Sequence, residues 1–94
     1  MAYQVFLHRF FAKEILKLPS HQQQTAYQIL TLLINQPVTL PTNTIALAGS
    51  NNLYRTRLGQ FRLIYQIDHQ NQRIVVLGIG SLGNIYKHLR KLVT

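Results

Sequence analysis

Three arginines set the chemistry that this sequence can offer. Arg55, Arg57 and Arg62 lie on either side of Gly59-Gln60, between the runs Leu53–Leu58 and Gln60–Asp68. Both runs alternate in character as strands do, and Gly59-Gln60 suits a tight hairpin turn. A two-residue turn sets Leu58 opposite Phe61, Arg57 opposite Arg62 and Arg55 opposite Ile64. Strand alternation then keeps the three arginines on one face. Tyr54, Thr56, Leu58, Phe61, Leu63 and Tyr65 share the other face, which is bulky enough to pack on helices. Like charges directly opposite each other destabilise a sheet. The arrangement makes sense if a phosphate or carboxylate sits between the guanidiniums, which bind such groups bidentately. The alternative is a solvated, splayed set of arginines, and a one-residue slip in register would disperse the group.

The rest of the chain narrows the reaction. Its only acids are Glu14 and Asp68, so a carboxylate pair is improbable and an acidic metal site lacks ligands. His8, His21, His69 and His88 are scattered, there is no cysteine, and no nucleophile elbow, phosphate-binding glycine loop or zinc motif is present. No metal and no cofactor is expected. One reaction tolerates this toolkit: cleavage of RNA by its own 2′-hydroxyl, which needs charge stabilisation at phosphorus, a base and an acid. Arginines supply the first. Tyr86 and His88 are candidates to move protons if the last helix packs beside the sheet; their plainer readings are a half-buried helix tyrosine and a surface histidine.

The elements that must position these residues follow from patterning. Tyr3–His8 alternates like a strand. Phe11, Ile15 and Leu18 form a helical stripe that Pro19 ends. Ser20, with Gln23 three positions later, predicts a capping box for a second helix bearing Ala26, Ile29, Leu30 and Leu33 on one side, stopped by Asn35-Gln36-Pro37. Val38–Asn52 is a connection in which Leu40, Ile45 and Leu47 need cover. Leu53–Leu58, Gln60–Asp68 and Arg73–Ile79 read as consecutive antiparallel strands, with the last apolar on both faces and therefore central. Gly80 and Gly83 bracket an expected turn. A final helix carries Leu82, Ile85, Leu89 and Leu92 on one side, with Lys87, Arg90 and Lys91 off it. The expected fold is α+β: a small antiparallel sheet of about four strands, an N-terminal helical hairpin packed on one face, and a C-terminal helix.

Residues 1–94 read as one domain, 47% hydrophobic, with enough apolar residues for one core. The formal net charge is +8, and no charged residue occurs between Leu18 and Tyr54. Such a balance points to a polyanionic partner. The start, Met1-Ala2-Tyr3-Gln4, lacks the pattern of a secretion signal, and no apolar stretch approaches the ~18–20 residues of a membrane span. A cytoplasmic location and no membrane partner are expected.

The stretch "LAGSNNLYRTRLGQFRLIYQID" resembles the core pattern of the RelE/ParE toxin superfamily, on its RelE side. "AKEILKLP", "RIVVLGIG" and "NIYKHL" resemble the family's first helix, closing strand and terminal tyrosine segment, so the likeness spans nearly the whole chain. The resemblance implies a RelE-like, microbial-ribonuclease-type fold. It also implies a toxin of a type II toxin–antitoxin pair that cuts messenger RNA in the ribosomal A site without a metal. Its partners would be ribosome, mRNA and a RelB-like antitoxin with an acidic or amphipathic segment, the last held in a hetero-oligomer. The glutamine-rich side of the Ser20–Asn35 helix is one candidate for that contact. Arg55 and Arg57 match the family's paired basic residues, Arg62 its phosphate-contacting arginine, and Tyr86 the tyrosine that stacks on a base or aids proton transfer. Two departures stand out. Some relatives carry lysine at the first two positions, and arginine is a poor base. Many relatives also carry a basic pair after the closing glycine, where this chain has Gly80-Ser81-Leu82. Lys87, His88 and Arg90 are candidates to contact RNA in its place. The departures keep two other functions open: a ParE-like inhibitor of DNA gyrase, and a catalytically weakened RNA- or antitoxin-binding homologue.

Overall fold

The computed structural model describes residues 2–47, 49 and 52–93, with side chains up to residue 87. Strand β1 (Gln4–Leu7) leads into helix α1 (Arg9–Glu14), a 3-10 turn (Ile15–Lys17) and helix α2 (Ser20–Asn35). Strands β2 (Thr44–Ala46), β3 (Leu53–Leu58), β4 (Phe61–Asp68) and β5 (Arg73–Ser81) follow, and helix α3 (Leu82–Val93) closes the chain. The sheet order is β1-β5-β4-β3-β2. It therefore has five strands rather than about four, and it is mixed. β1 lies parallel to β5, with Gln4 opposite Arg73 and Leu7 opposite Val76, while the other pairings are antiparallel. The additional strand is β2, three residues of the Val38–Asn52 connection that pair Thr44 with Thr56. β5 is an interior strand, but β4 occupies the middle.

Helices α1 and α2 pack on one face, as their apolar spacing predicts. Phe11, Ile15 and Leu18 join Ala26, Leu30 and Leu33 in a core with Leu58, Leu63, Tyr65, Ile67, Ile74, Val76 and Ile79 of the sheet. Removing this many branched and aromatic side chains from water is the main term favouring the fold. His8 caps α1 by accepting the Phe10 N–H at Nδ1 (3.0 Å). α2 has no capping box. Pro19 takes the cap position, and the Gln23 amide instead donates to the Leu18 carbonyl at 2.9 Å. Proline offers no side-chain acceptor for the first N–H groups, while its carbonyl accepts from the N–H groups of Gln22 and Gln23 as any cap carbonyl does.

Three hydroxyls cross the sheet inside this core. Thr56 Oγ1 lies 2.7 Å from Tyr65 Oη and 2.7 Å from Thr44 Oγ1. The Tyr65 ring stacks on Tyr54, with centroids 6.0 Å apart. This chain ties the short β2 to the two strands beyond it. Leu47 is half-covered, but Leu40 and Ile45 remain exposed.

The β3–β4 hairpin has the register that the two-residue turn requires: Leu58 pairs with Phe61, Arg57 with Arg62 and Arg55 with Ile64. Gly59 enables it by adopting a left-handed φ of 61°. A register shift after Ile64 leaves Leu77 as an extra residue on β5, which bends the strand. The expected turn between Gly80 and Gly83 does not form. β5 continues through Ser81 and α3 starts at Leu82 without a loop. α3 folds back over the second face of the sheet. Ile85 is buried there, as is Ile64, whereas Leu82 of the anticipated stripe is exposed. Among the described residues, no helix is long and apolar enough to cross a membrane.

Candidate functional site

The face of the sheet opposite the main core carries Arg55 and Arg57 from β3 and Arg62 from β4. Arg57 and Arg62 are direct cross-strand partners. α3 contributes the fourth residue: Arg55 Nη1 donates to the Tyr86 hydroxyl oxygen at 2.7 Å. The bond joins residues far apart in sequence, and the direct strand-to-helix junction at Ser81–Leu82 makes it possible.

The three guanidiniums share a register but not their contacts. Arg62 turns back on its own hairpin, where Nη1 donates to the Gly59 and Phe61 carbonyls, each at 3.1 Å. Arg57 lies beyond the end of β2 and is exposed. It lines a groove of about 390 Å³ whose walls include Ile29, Leu32 and Leu40, between α2 and the residues leading to β2. The buried Nε atoms of Arg55 and Arg62 have no hydrogen-bond partner among the described residues.

Counter-ions are missing from this face. The sequence holds two acidic side chains, and both pair elsewhere: Glu14 with Lys17 at 2.6 Å, Asp68 with Arg73 at 3.3 Å. Asn71 donates to Asp68 from its side-chain amide and its backbone N–H, and together with Arg73 these hold the Asp68 carboxyl below the usual carboxylate range. It is thus committed to the β4–β5 turn at the far end of the sheet. Among the described residues no group of three or more His, Asp or Glu side chains could hold a metal.

Lys87 is exposed on α3 beside Tyr86. His88 and Arg90 belong to the same helix, and their side chains lie outside the described residues. Sequence reasoning gives the register of the three arginines, and the packing of the last helix beside the sheet brings Tyr86 to Arg55, but two groups that set the geometry are missed. The Gly59 and Phe61 carbonyls restrain Arg62. Gly78 faces Ile85 where α3 meets the sheet. The available signal for the second is a glycine inside an otherwise apolar strand, a mark of close approach.

Known proteins share this architecture. Residues 5–86 match the family model described as the ParE toxin of the parDE type II toxin–antitoxin system. The chain is similar to RelE1 of Methanocaldococcus jannaschii, with 26% identity over 89 residues that cover 94% of this chain and 99% of that protein. It is similar to the archaeal RelE–RelB complex of Pyrococcus horikoshii, with a TM-score of 0.76 and 29% identity over 89% of this chain and 99% of that one. A free Escherichia coli RelE carrying two arginine-to-alanine changes aligns over 100% of both chains with a TM-score of 0.79. Its 23% identity makes that a likeness of fold.

Proposed function

The chain belongs to the RelE/ParE superfamily of toxins from type II toxin–antitoxin systems, and from that premise we propose that its arginine face cleaves messenger RNA on the ribosome. The observation that carries this reading is the uncompensated charge: three arginines on one sheet face, with both acids of the chain paired elsewhere. An external polyanion relieves that repulsion.

In this reading Arg57 and Arg62 hold the non-bridging oxygens of the scissile phosphate. The 2′-oxygen attacks phosphorus and releases its proton to solvent. The bond to the 5′-oxygen breaks, leaving a 2′,3′-cyclic phosphate. Arg55 donates to the Tyr86 oxygen, which leaves the Tyr86 O–H free to protonate the departing 5′-oxygen. Lys87, exposed on α3, contacts the flanking RNA, and His88 and Arg90 follow it in the sequence as further RNA-binding residues. A RelB-like antitoxin silences the toxin in a hetero-oligomer, as the solved RelE–RelB relatives suggest. The uncharged outer side of α2, with Tyr27 and Leu32 exposed, offers it a surface. A ribosomal substrate makes the toxin cytoplasmic.

One observation favours a second reading. The matching family model is that of ParE toxins, and β5 ends in Gly80-Ser81, followed by Leu82, rather than in a basic pair. Gyrase inhibition would need no RNA chemistry. Primer extension on ribosome-bound mRNA, with Arg62→Ala as control, separates the two. Cuts at A-site codons that disappear in the control support the nuclease. No cuts from a folded, growth-arresting protein that also blocks plasmid supercoiling by purified gyrase would replace it.

A further inference from the structure

We infer that Gly78 is a positioning residue: its missing side chain is the seat that holds α3 at the height where the Tyr86 hydroxyl meets Arg55. This rests on the reading of Tyr86 as part of the site, and it names what places that residue there.

A Cβ built on Gly78 would lie 2.8 Å from Phe10 Cδ2 and Cε2 and 3.0 Å from Ile85 Cδ1. The backbone does not demand glycine here, because among the described glycines only Gly49 and Gly59 have a positive φ. The space does. Neighbouring glycines show the contrast: a Cβ on Gly80 would find its nearest atom at 3.9 Å, and one on Gly83 would find nothing within 4 Å. Of the three glycines at the β5–α3 junction, Gly78 alone is filled by its neighbours.

Those neighbours come from the elements that meet over this face. Phe10 belongs to α1, beside the Gly78 end of β5, while the adjacent Phe11 enters the main core. Ile85 is the one buried side chain among the described residues of α3; Leu82, Gly83, Asn84 and Lys87 are exposed and Tyr86 is half-buried. The first turns of α3 thus rest on a single anchor, and that anchor occupies the hollow of Gly78. Tyr86 is the next residue along a rigid helix. Gly78 pairs with Ile64, which pairs with Arg55, so seat and arginine stand level across three strands. A methyl at position 78 must displace Phe10, its closest neighbour, together with the Ile85 side chain that shares the hollow, and so shifts the seat from which α3 presents Tyr86. A hydrogen bond of 2.7 Å can lengthen by about 0.5 Å before it leaves the ordinary range, so a larger shift of α3 breaks it.

The test reads Tyr86 directly. The chain has five tyrosines, so full-length protein labelled with 3-fluorotyrosine gives five fluorine resonances, with Tyr86 assigned by Tyr86→Phe. Gly78→Ala should move the Tyr86 resonance toward its position in Arg55→Met and leave those of Tyr54 and Tyr65 in place. Gly78→Ala combined with Phe10→Ala and Ile85→Val removes all three atoms that the new methyl would meet and should return the signal. A Tyr86 resonance that stays at its wild-type position in folded Gly78→Ala overturns the inference. If Gly78→Ala does not fold, Ile85→Val alone decides: deleting the anchoring methyl should displace the signal, and an unmoved signal refutes the seat. In ribosome-dependent cleavage, Gly78→Ala should lose the same factor as Tyr86→Phe, on the order of 10², with no further loss when Gly78→Ala and Tyr86→Phe are combined. A wild type that cuts no RNA would refute the nuclease reading while leaving the fluorine result to judge Gly78.

Discussion

Replacing Thr56 with valine should destabilise this protein more than replacing Tyr65 with phenylalanine, although each change removes one hydroxyl. Thr56 is fully buried and stands between Tyr65 and Thr44, with both oxygens 2.7 Å away. Tyr65→Phe deletes the end of the chain and leaves Thr56 bonded to Thr44, so the loss is that of one ordinary hydrogen bond, about 1 kcal/mol. Thr56→Val deletes the middle. The phenol of Tyr65, itself 0% exposed, then keeps only Thr44 as a side-chain partner, and its partial loss of hydrogen bonding in a buried site costs about 2 kcal/mol. With phenylalanine already at position 65, valine at 56 strands only Thr44, which is partly exposed and can turn to water. The second step should then cost about 1 kcal/mol or less, a coupling of about 1–2 kcal/mol. Urea denaturation followed by far-ultraviolet circular dichroism measures all four corners of the cycle. In thermal scans Thr56→Val should lower Tm by roughly 10 °C or more, since 1 kcal/mol shifts a domain of this size by about 4–8 °C. Additive effects, with coupling under about 0.5 kcal/mol, would show that the three hydroxyls do not act as one chain.

Arg62→Ala should reduce ribosome-dependent cleavage by about 30- to 1,000-fold, the equivalent of ~2–4 kcal/mol of lost charge stabilisation, with Tm changing by only a few degrees; equal activity would remove Arg62 from the site. RNA affinity should fall linearly with the logarithm of salt concentration, and Arg57→Ala should make the slope shallower by about one; an unchanged slope in filter binding would mean that Arg57 touches no phosphate. At low pH the sign follows from Asp68, whose carboxyl is held below its ordinary range by Asn71 and, secondarily, Arg73. Its contribution is present above the unfolded carboxylate pKa of about 4 and is lost as pH falls, so Asp68→Asn should flatten the acid limb of the stability profile. At high pH burial raises the Tyr65 phenol pKa. The unfolded chain then ionises first, stability drops above about pH 10, and Tyr65→Phe should lessen that drop in alkaline denaturation curves.

What the sequence reveals best is local. The two-residue turn at Gly59-Gln60 dictates the pairing of Arg57 with Arg62, because loop length fixes register and alternation fixes the face. The helix stripe Phe11, Ile15 and Leu18 is buried as its spacing requires. Pairings between distant segments carry no such signal. Nothing in Gln4–Leu7 says that its neighbour is Arg73–Val76, or that the two run parallel. Thr44–Ala46 is too short for a period-two pattern, and it becomes a strand through its hydroxyl partner on β3. The turn expected at Gly80–Gly83 fails because glycine marks two different needs: chain reversal and room for a neighbour. Here the strand runs on, and a helix packs over it. Arg57 exposes the same limit in the site. Register puts it opposite Arg62, but beyond the end of β2 the same residue also borders the α2 groove.

The parallel pairing of β1 with β5 also bears on synthesis. The first strand to leave the ribosome must wait for the last strand before it can be placed, because its only partner in the sheet is β5. Pairing so distant in sequence is slow to close. Tyr86 lies still further along the chain, so Arg55 and Tyr86 cannot meet until α3 has left the ribosome. The β3–β4 hairpin can bring its arginines together earlier, but a nascent chain stalled before α3 lacks the Arg55–Tyr86 contact.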